Sequence, residues 1–227
     1  MARIHTEQKA QLAGLIEVLL FLKSFTMSKP NPADVEIAAN DILLDDYFHV
    51  SKLTLRHKQI DGSWSDMMER FLLHRPDATC AIVYNADRHS TYLVRQFRIG
   101  AFQKEDGWTL ELPAGLVDGG ETHEQALARE LIEEIGFKPR TTELVDSYFA
   151  SPGILTERIF CYYVEVTNDD KVASGGGVDS EYEDIEIVEI PVTELSRFTE
   201  KNEIRDAKTV AGLLRLEKIL RARQLIS

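Results

Sequence analysis

The order of apolar and polar residues divides the chain into short strand-like runs and two helical ones. In residues 47–71, Val50, Leu53 and Leu55 give a strand pattern that turns at Asp61-Gly62 and resumes at Trp64. Asp-Gly between such runs predicts a hairpin. Residues 79–84 form a continuous apolar run, the pattern of a buried central strand, and residues 91–97 a second core strand after a loop over 85–89. Further strands are predicted over 108–112, 143–150, 159–166 and 185–190, with a polar, glycine-rich loop over 168–180. Helical spacing appears in Ala126, Leu127, Leu131 and Ile135, and again in Val210, Leu213, Leu214 and Leu220 within residues 206–226. The first helix is punctuated at both ends. Thr122 and Gln125 form a capping-box pair, Gly136 supplies a stop, and Pro139 follows. Strands interleaved with two solid helices predict a mixed α/β sandwich.

Near the start, residues 12–22 (L-A-G-L-I-E-V-L-L-F-L) are the most hydrophobic run, but too short to span a bilayer and interrupted by Glu17. No small-x-small cleavage pattern follows. Two readings stay open for residues 1–26: an amphipathic helix packed on the body, or a dispensable extension ahead of a start at Met27. With 44% hydrophobic residues in 227, the chain can bury a core of ordinary size. Its formal charge, 26 − 38 = −12, speaks against sequence-independent nucleic-acid binding, which needs basic surface. An anionic substrate must then be received by local arginines and a metal. Cys80 and Cys161 sit in apolar runs without ligand spacing and read as buried free thiols of a reducing cytoplasm.

The candidate chemistry gathers at the first helix. Gly115, Gly119 and Gly120 lead into it, Glu130 and Glu134 lie one turn apart with Glu133 beside them, and Arg129 can pair with Glu133 at i,i+4. Clustered carboxylates repel one another unless something positive sits among them. A hard divalent cation, Mg²⁺ or Mn²⁺, meets that need with few carboxylates plus phosphate oxygens and water. The glycine turn lets backbone approach a ligand closely. Elsewhere, Arg98 ends a core strand and reads either as a phosphate fork or as a solvated strand end. Glu111 either anchors the loop before Gly115 or touches substrate. Ser151-Pro152-Gly153 reads as a turn, and residues 179–184 as an acidic patch at the tip of the glycine loop.

The spacing from Gly115 through Glu121, Arg129-Glu130-Leu131 and Glu133-Glu134 to Gly136-Phe137 reproduces the Nudix box. With V-R-Q-F-R-I, L-E-L-P-A-G-L, S-P-G-I-L-T-E-R, G-G-G-V-D-S-E-Y-E-D-I-E-I and E-I-R-D-A-K-T-V, residues 50–220 resemble the nucleoside-diphosphate-sugar pyrophosphatase branch of the Nudix family, which includes ADP-ribose, GDP-mannose and UDP-sugar hydrolases. The resemblance implies an α/β/α sandwich with a mixed sheet, preceded by an N-terminal antiparallel β subdomain that builds a homodimer. It divides the chain into an extension (1–26), a subdomain on the nucleobase side (27–75) and a hydrolase domain (76–227).

It also implies metal contacts at the Ala114 carbonyl, Glu130 and Glu134, with Glu133 in support and a metal-linked acid at Glu183. Two or three Mg²⁺ or Mn²⁺ ions are expected with substrate bound. Glu181 matches the general base. Arg98, Glu111 and Gly115 would contact or orient substrate, Arg70 would sit by the nucleobase, and Pro152 and Glu157 would belong to the loop that approaches the terminal sugar. Phe71 departs from relatives that carry an acid there. The implied activity is metal-dependent cleavage of a nucleoside diphosphate sugar to a nucleoside monophosphate and a sugar phosphate by a cytoplasmic homodimer, with no membrane or nucleic-acid partner. Two alternatives remain: a pyrophosphatase of nucleoside triphosphates or dinucleoside polyphosphates, and a non-catalytic ADP-ribose sensor.

Overall fold

The computed structural model describes residues 31–178, 180, 182–200 and 203–226, so the readings for residues 1–26 and for Glu181 fall outside it. By contacts the chain divides into two units, residues 1–41 with 52–70 and residues 42–51 with 71–227.

Three strands, β1 (Val35–Asp45), β2 (His49–His57) and β3 (Met68–His74), form a sheet in the order β1-β2-β3. In the first unit Arg56 donates twice to Glu36, Lys52 pairs with Glu69 at 3.1 Å, and Gly62 takes φ +85 in the turn that precedes a Lys58–Trp64 bridge. The expected hairpin turn is there, but its second strand begins at Met68 rather than Trp64. β1 was not expected. Its sequence, V-E-I-A-A-N-D-I-L-L-D, mixes poor strand formers with apolar residues on both alternations, so no single face stands out.

The second unit is built on a seven-stranded mixed sheet. β4 (Ala78–Asn85), β5 (Ser90–Phe97), β8 (Thr142–Phe149), β9 (Arg158–Val166) and β10 (Glu186–Pro191) run in the order β10-β5-β4-β9-β8. β6 (Trp108–Glu111) pairs with β5, and β7 (Ala114–Leu116) with β4. Only β4 and β9 pair in parallel among these. Among the described residues the α-helices are α1 (Ile99–Phe102), α2 (His123–Ile135), α3 (Leu195–Glu200) and α4 (Ala207–Ala222).

β4 explains the layering. Its continuous apolar run is buried on both faces, as a central strand covered on both sides requires. Cys80, Ile82 and Tyr84 point to one side and join Leu213, Leu216 and Leu220 of α4. Ala81 and Val83 point to the other and join Leu127, Leu131 and Ile135 of α2. The result is a helix–sheet–helix sandwich. Within α4, Leu216 is fully buried whereas Leu214, expected on the apolar face, is about half exposed. Cys80 and Cys161 are free and buried.

Candidate active site

The box helix is set by its ends and its apolar face. The Thr122 hydroxyl accepts the Gln125 N–H at 3.2 Å, and the Gln125 side chain accepts the Thr122 N–H at 2.8 Å. Gly136 stops the helix at φ +75. Burying Ala126, Leu127, Leu131 and Ile135 turns the Glu134 side chain toward β7, where it accepts the Ala114 N–H at 2.9 Å and is only 2% exposed. Glu130 lies against Gly115: a Cβ on that glycine would fall 1.8 Å from a Glu130 carboxylate oxygen.

The charges on this helix are arranged unevenly. The Arg129 guanidinium bonds Glu121 twice at 3.1 Å, Glu130 at 2.7 Å, Glu133 at 3.2 Å and the Leu116 carbonyl at 3.2 Å. It therefore answers part of the repulsion among the acids. Burial still pushes Glu130 up to about 7, against the pull of Arg129. For Glu134, burial and the neighbouring Glu130 charge raise the carboxyl well above the ordinary range, against the Ala114 N–H. These are acids that the fold holds short of positive charge.

Opposite them stands a cationic group. Arg98, at the end of β5, donates from Nε and Nη2 to the two Glu111 oxygens at 2.9 Å each. Thr109 and Lys208 donate to the same carboxylate at 2.6 Å each, and Lys208 lies 3.0 Å from Asp206. Burial acts against the Glu111 charge, but Arg98 and Lys208 outweigh it and hold the carboxyl at about 2. Glu111 thus anchors two cations rather than backbone amides. Lys208 is carried by the N-terminus of α4, where Asp206 caps Thr209 and the Thr209 hydroxyl accepts the Leu112 N–H at 2.7 Å.

Both groups line one cleft of about 1070 Å³ in the second unit. Of the expected residues, Arg98, Glu111, Ala114, Gly115, Glu130, Glu157 and Glu183 line it. Glu183 accepts from Gln96 Nε2 at 3.3 Å, and Glu157 pairs with Arg75 at 2.9 Å. Glu134 packs behind Ala114, and Glu133 is turned to Arg129. Pro152 is exposed in its turn and is not among the lining residues. Arg70 belongs to the first unit, exposed, with its guanidinium on the Glu69 carbonyl.

Among the described residues no three His, Cys, Asp or Glu side chains form a ready metal cluster. The donor set nonetheless suits a hard divalent ion, which usually takes few carboxylates and completes its shell with water and phosphate oxygens. Glu134 is buried and Glu130 partly so, both are raised above the ordinary carboxylate range, and the Ala114 backbone lies beside them.

Residues 74–213 match the NUDIX domain family model. The chain belongs to the Nudix family. It is 33% identical over 186 residues to the GDP-mannose pyrophosphatase of Cronobacter sakazakii (strain ATCC BAA-894), covering 81% of this chain and 95% of that protein. The GDP-mannose pyrophosphatase of Shigella flexneri serotype 5b (strain 8401) is 32% identical over 178 residues, covering 78% and 91%. A crystal structure of an ADP compounds hydrolase superposes with a TM-score of 0.67 at 20% identity over 88% of this chain and all of that one, a likeness of fold.

For this Nudix chain, reading the residues missed Lys208, Gln96 and Arg75, all of which line the cleft. Lys208 left one trace, the Asp206-to-Thr209 cap signal that starts α4 two residues from it. Gln96 and Arg75 left none, since each is polar next to an element end, where solvent is the ordinary destination.

Proposed function

We propose that the chain hydrolyses the pyrophosphate bond of a nucleoside diphosphate sugar in the presence of Mg²⁺ or Mn²⁺, releasing a nucleoside monophosphate and a sugar phosphate. One observation carries the reading. Acids held short of positive charge (Glu130 and Glu183 in the cleft wall, Glu134 behind Ala114) and a fixed cationic pair (Arg98, Lys208) meet at a single cleft. A diphosphate linkage needs both at once.

Ala114 through its carbonyl, Glu130 and Glu134 would hold the metal, with Glu133 and Glu183 in support. Two or three ions are proposed with substrate bound, and they would supply charge neutralisation and polarisation of the phosphoryl group. Arg98, kept charged and oriented by Glu111, binds phosphate oxygens with a planar fork, and Lys208 adds a point charge. Glu181 is proposed to take the proton of the attacking water. Glu157, Pro152 and their loop are assigned to the terminal sugar, Arg70 to the nucleobase, and Gly115 to close backbone approach. Positioning and electrostatics dominate the rate gain in such transfers. The active form is proposed to be a cytoplasmic homodimer.

The test is incubation with ADP-ribose, GDP-mannose and UDP-glucose plus Mg²⁺, with products identified by ³¹P NMR. Monophosphate and sugar phosphate in equal amounts support the proposal; intact sugar nucleotides, beside release of inorganic pyrophosphate from GTP in a parallel incubation or without it, overturn it. Glu134→Gln serves as the control, because its amide can still accept the Ala114 N–H. Removing a supporting partner of a metal ligand costs about 10–100-fold, so loss of the ligand itself should cost at least that much.

A further inference from the structure

A helix leaves its last four carbonyls without intrahelical donors, and a buried helix end must find them elsewhere. At the C-terminus of α2 one short segment of chain supplies them. The Gly177 N–H reaches the Glu133 carbonyl at 3.0 Å and the Gly176 N–H the Glu134 carbonyl at 2.9 Å. The Lys171 ammonium reaches the Ile135 carbonyl at 2.6 Å, while the N–H groups of Val172 and Ala173 share the Gly136 carbonyl at 2.8 and 3.2 Å. Lys171 is the one side chain among these donors. It also bonds the Ser174 carbonyl at 3.1 Å and lies 4.9 Å from the centre of the Phe137 ring.

The same segment leads to a cleft acid. Gly175 and Gly177 take φ +73 and +90, and a Cβ on Gly177 would come within 2.7 Å of the Glu183 Cβ. The Ile185 N–H returns to the Gly176 carbonyl at 3.3 Å, and the Val178 N–H to a Glu183 carboxylate oxygen at 3.3 Å. Glu183 therefore hangs from the end of the helix that carries Glu130 and Glu134.

We infer that Lys171 is a positioning residue for the reaction: by fastening the glycine segment to the C-terminal carbonyls of the box helix, it sets Glu183 against the acids of that helix. The inference rests on the role proposed above for Glu183. Lys171 itself touches no substrate, and it lies outside the residues lining the cleft. Its charge also suits a helix C-terminus, where cations are favoured.

The experiment is a double-mutant cycle on the full chain with GDP-mannose (ADP-ribose if that turns over faster) and saturating Mg²⁺, comparing Lys171→Met, Glu183→Gln and the double variant. Lys171→Met is expected to lower kcat about 10-fold or more with KM within about twofold. The double variant should be no slower than Glu183→Gln alone, because residues acting through one group are not additive. Lys171→Arg should restore part of the rate. Losses that multiply, or a kcat for Lys171→Met within about twofold of wild type, overturn the inference. If Glu183→Gln is as fast as wild type, the reading of Glu183 fails and this inference with it; a slow Glu183→Gln beside a normal Lys171→Met retires the lysine alone. Should Lys171→Met not fold, Lys171→Leu takes its place, with the same kcat-only loss expected and the same results counting against it.

Discussion

Glu111 shows how one carboxylate can gather two cations at the wall of the cleft. It is 4% exposed and accepts from Arg98, Thr109 and Lys208. Its folded pKa of about 2 lies below the ordinary 4.5, so the folded chain prefers the ionised form. The stability this provides is complete above about pH 4.5 and fades as pH falls toward 2. A shift of that size corresponds to about 3 kcal/mol. Urea unfolding of the wild type should therefore weaken between pH 4.5 and 2.5, and Glu111→Gln should flatten that part of the profile. At pH 7 the variant leaves Arg98 without its counter-charge and Lys208 with Asp206 alone, where breaking a buried pair costs about 3–5 kcal/mol. Arg98 is partly exposed, so the lower end is expected. A pH profile identical to the wild type would mean that the carboxylate is not the group being titrated.

At the scale of elements, β7 and α2 together make the proposed metal side, although β7 has only three residues. Gly115, opposite Thr79 of β4, lies directly against Glu130 of α2. Gly115→Ala would drive a methyl group into the Glu130 carboxylate, 1.8 Å from its oxygen and 2.0 Å from its carbon. The side chain must swing away, and Mn²⁺ affinity measured by calorimetry should fall about 10–100-fold, with thermal stability reduced only modestly. Unchanged Mn²⁺ binding would remove Glu130 from the ligand set. Such closeness also explains what could be read beforehand. α2 was legible because capping residues, apolar spacing and the αL glycine all agree on one helix. β4, β5, β9 and β10 were legible from their apolar runs. β7 was not, because three residues carry no period, and the Lys208–Glu111–Arg98 cluster was not, because its members are far apart in sequence and meet only through the sheet and α4. Glu134 is the informative exception: a glutamate at a helical position reads as solvated, yet the same helical geometry that buries Leu131 and Ile135 buries it too.

For the whole molecule, the question is what covers β1. All of its residues but one are exposed, and Val35, Ile37, Ile42, Leu43 and Leu44 are each 47–58% exposed. Among the described residues it is also the outer strand of its sheet. Long apolar edge strands are an association hazard unless something occupies them. Two copies of a chain of charge −12 repel each other, so a homodimer must be held by apolar contact. Salt screens that repulsion, with a Debye length near 10 Å at about 0.1 M. Raising NaCl from about 0.02 to 0.2 M should therefore tighten the proposed dimer, the opposite of an association held by ion pairs. Light scattering coupled to size exclusion should report twice the chain mass, with dissociation retreating to lower protein concentration as salt rises. Ile42 and Leu44 stand on one face of the strand, being an even number of residues apart. Converting both to Glu puts four added negative charges into the dimer interface and should yield monomer at every salt concentration. A wild-type chain that runs as monomer, or a double variant that remains dimeric, would mean that β1 is not the surface by which copies meet.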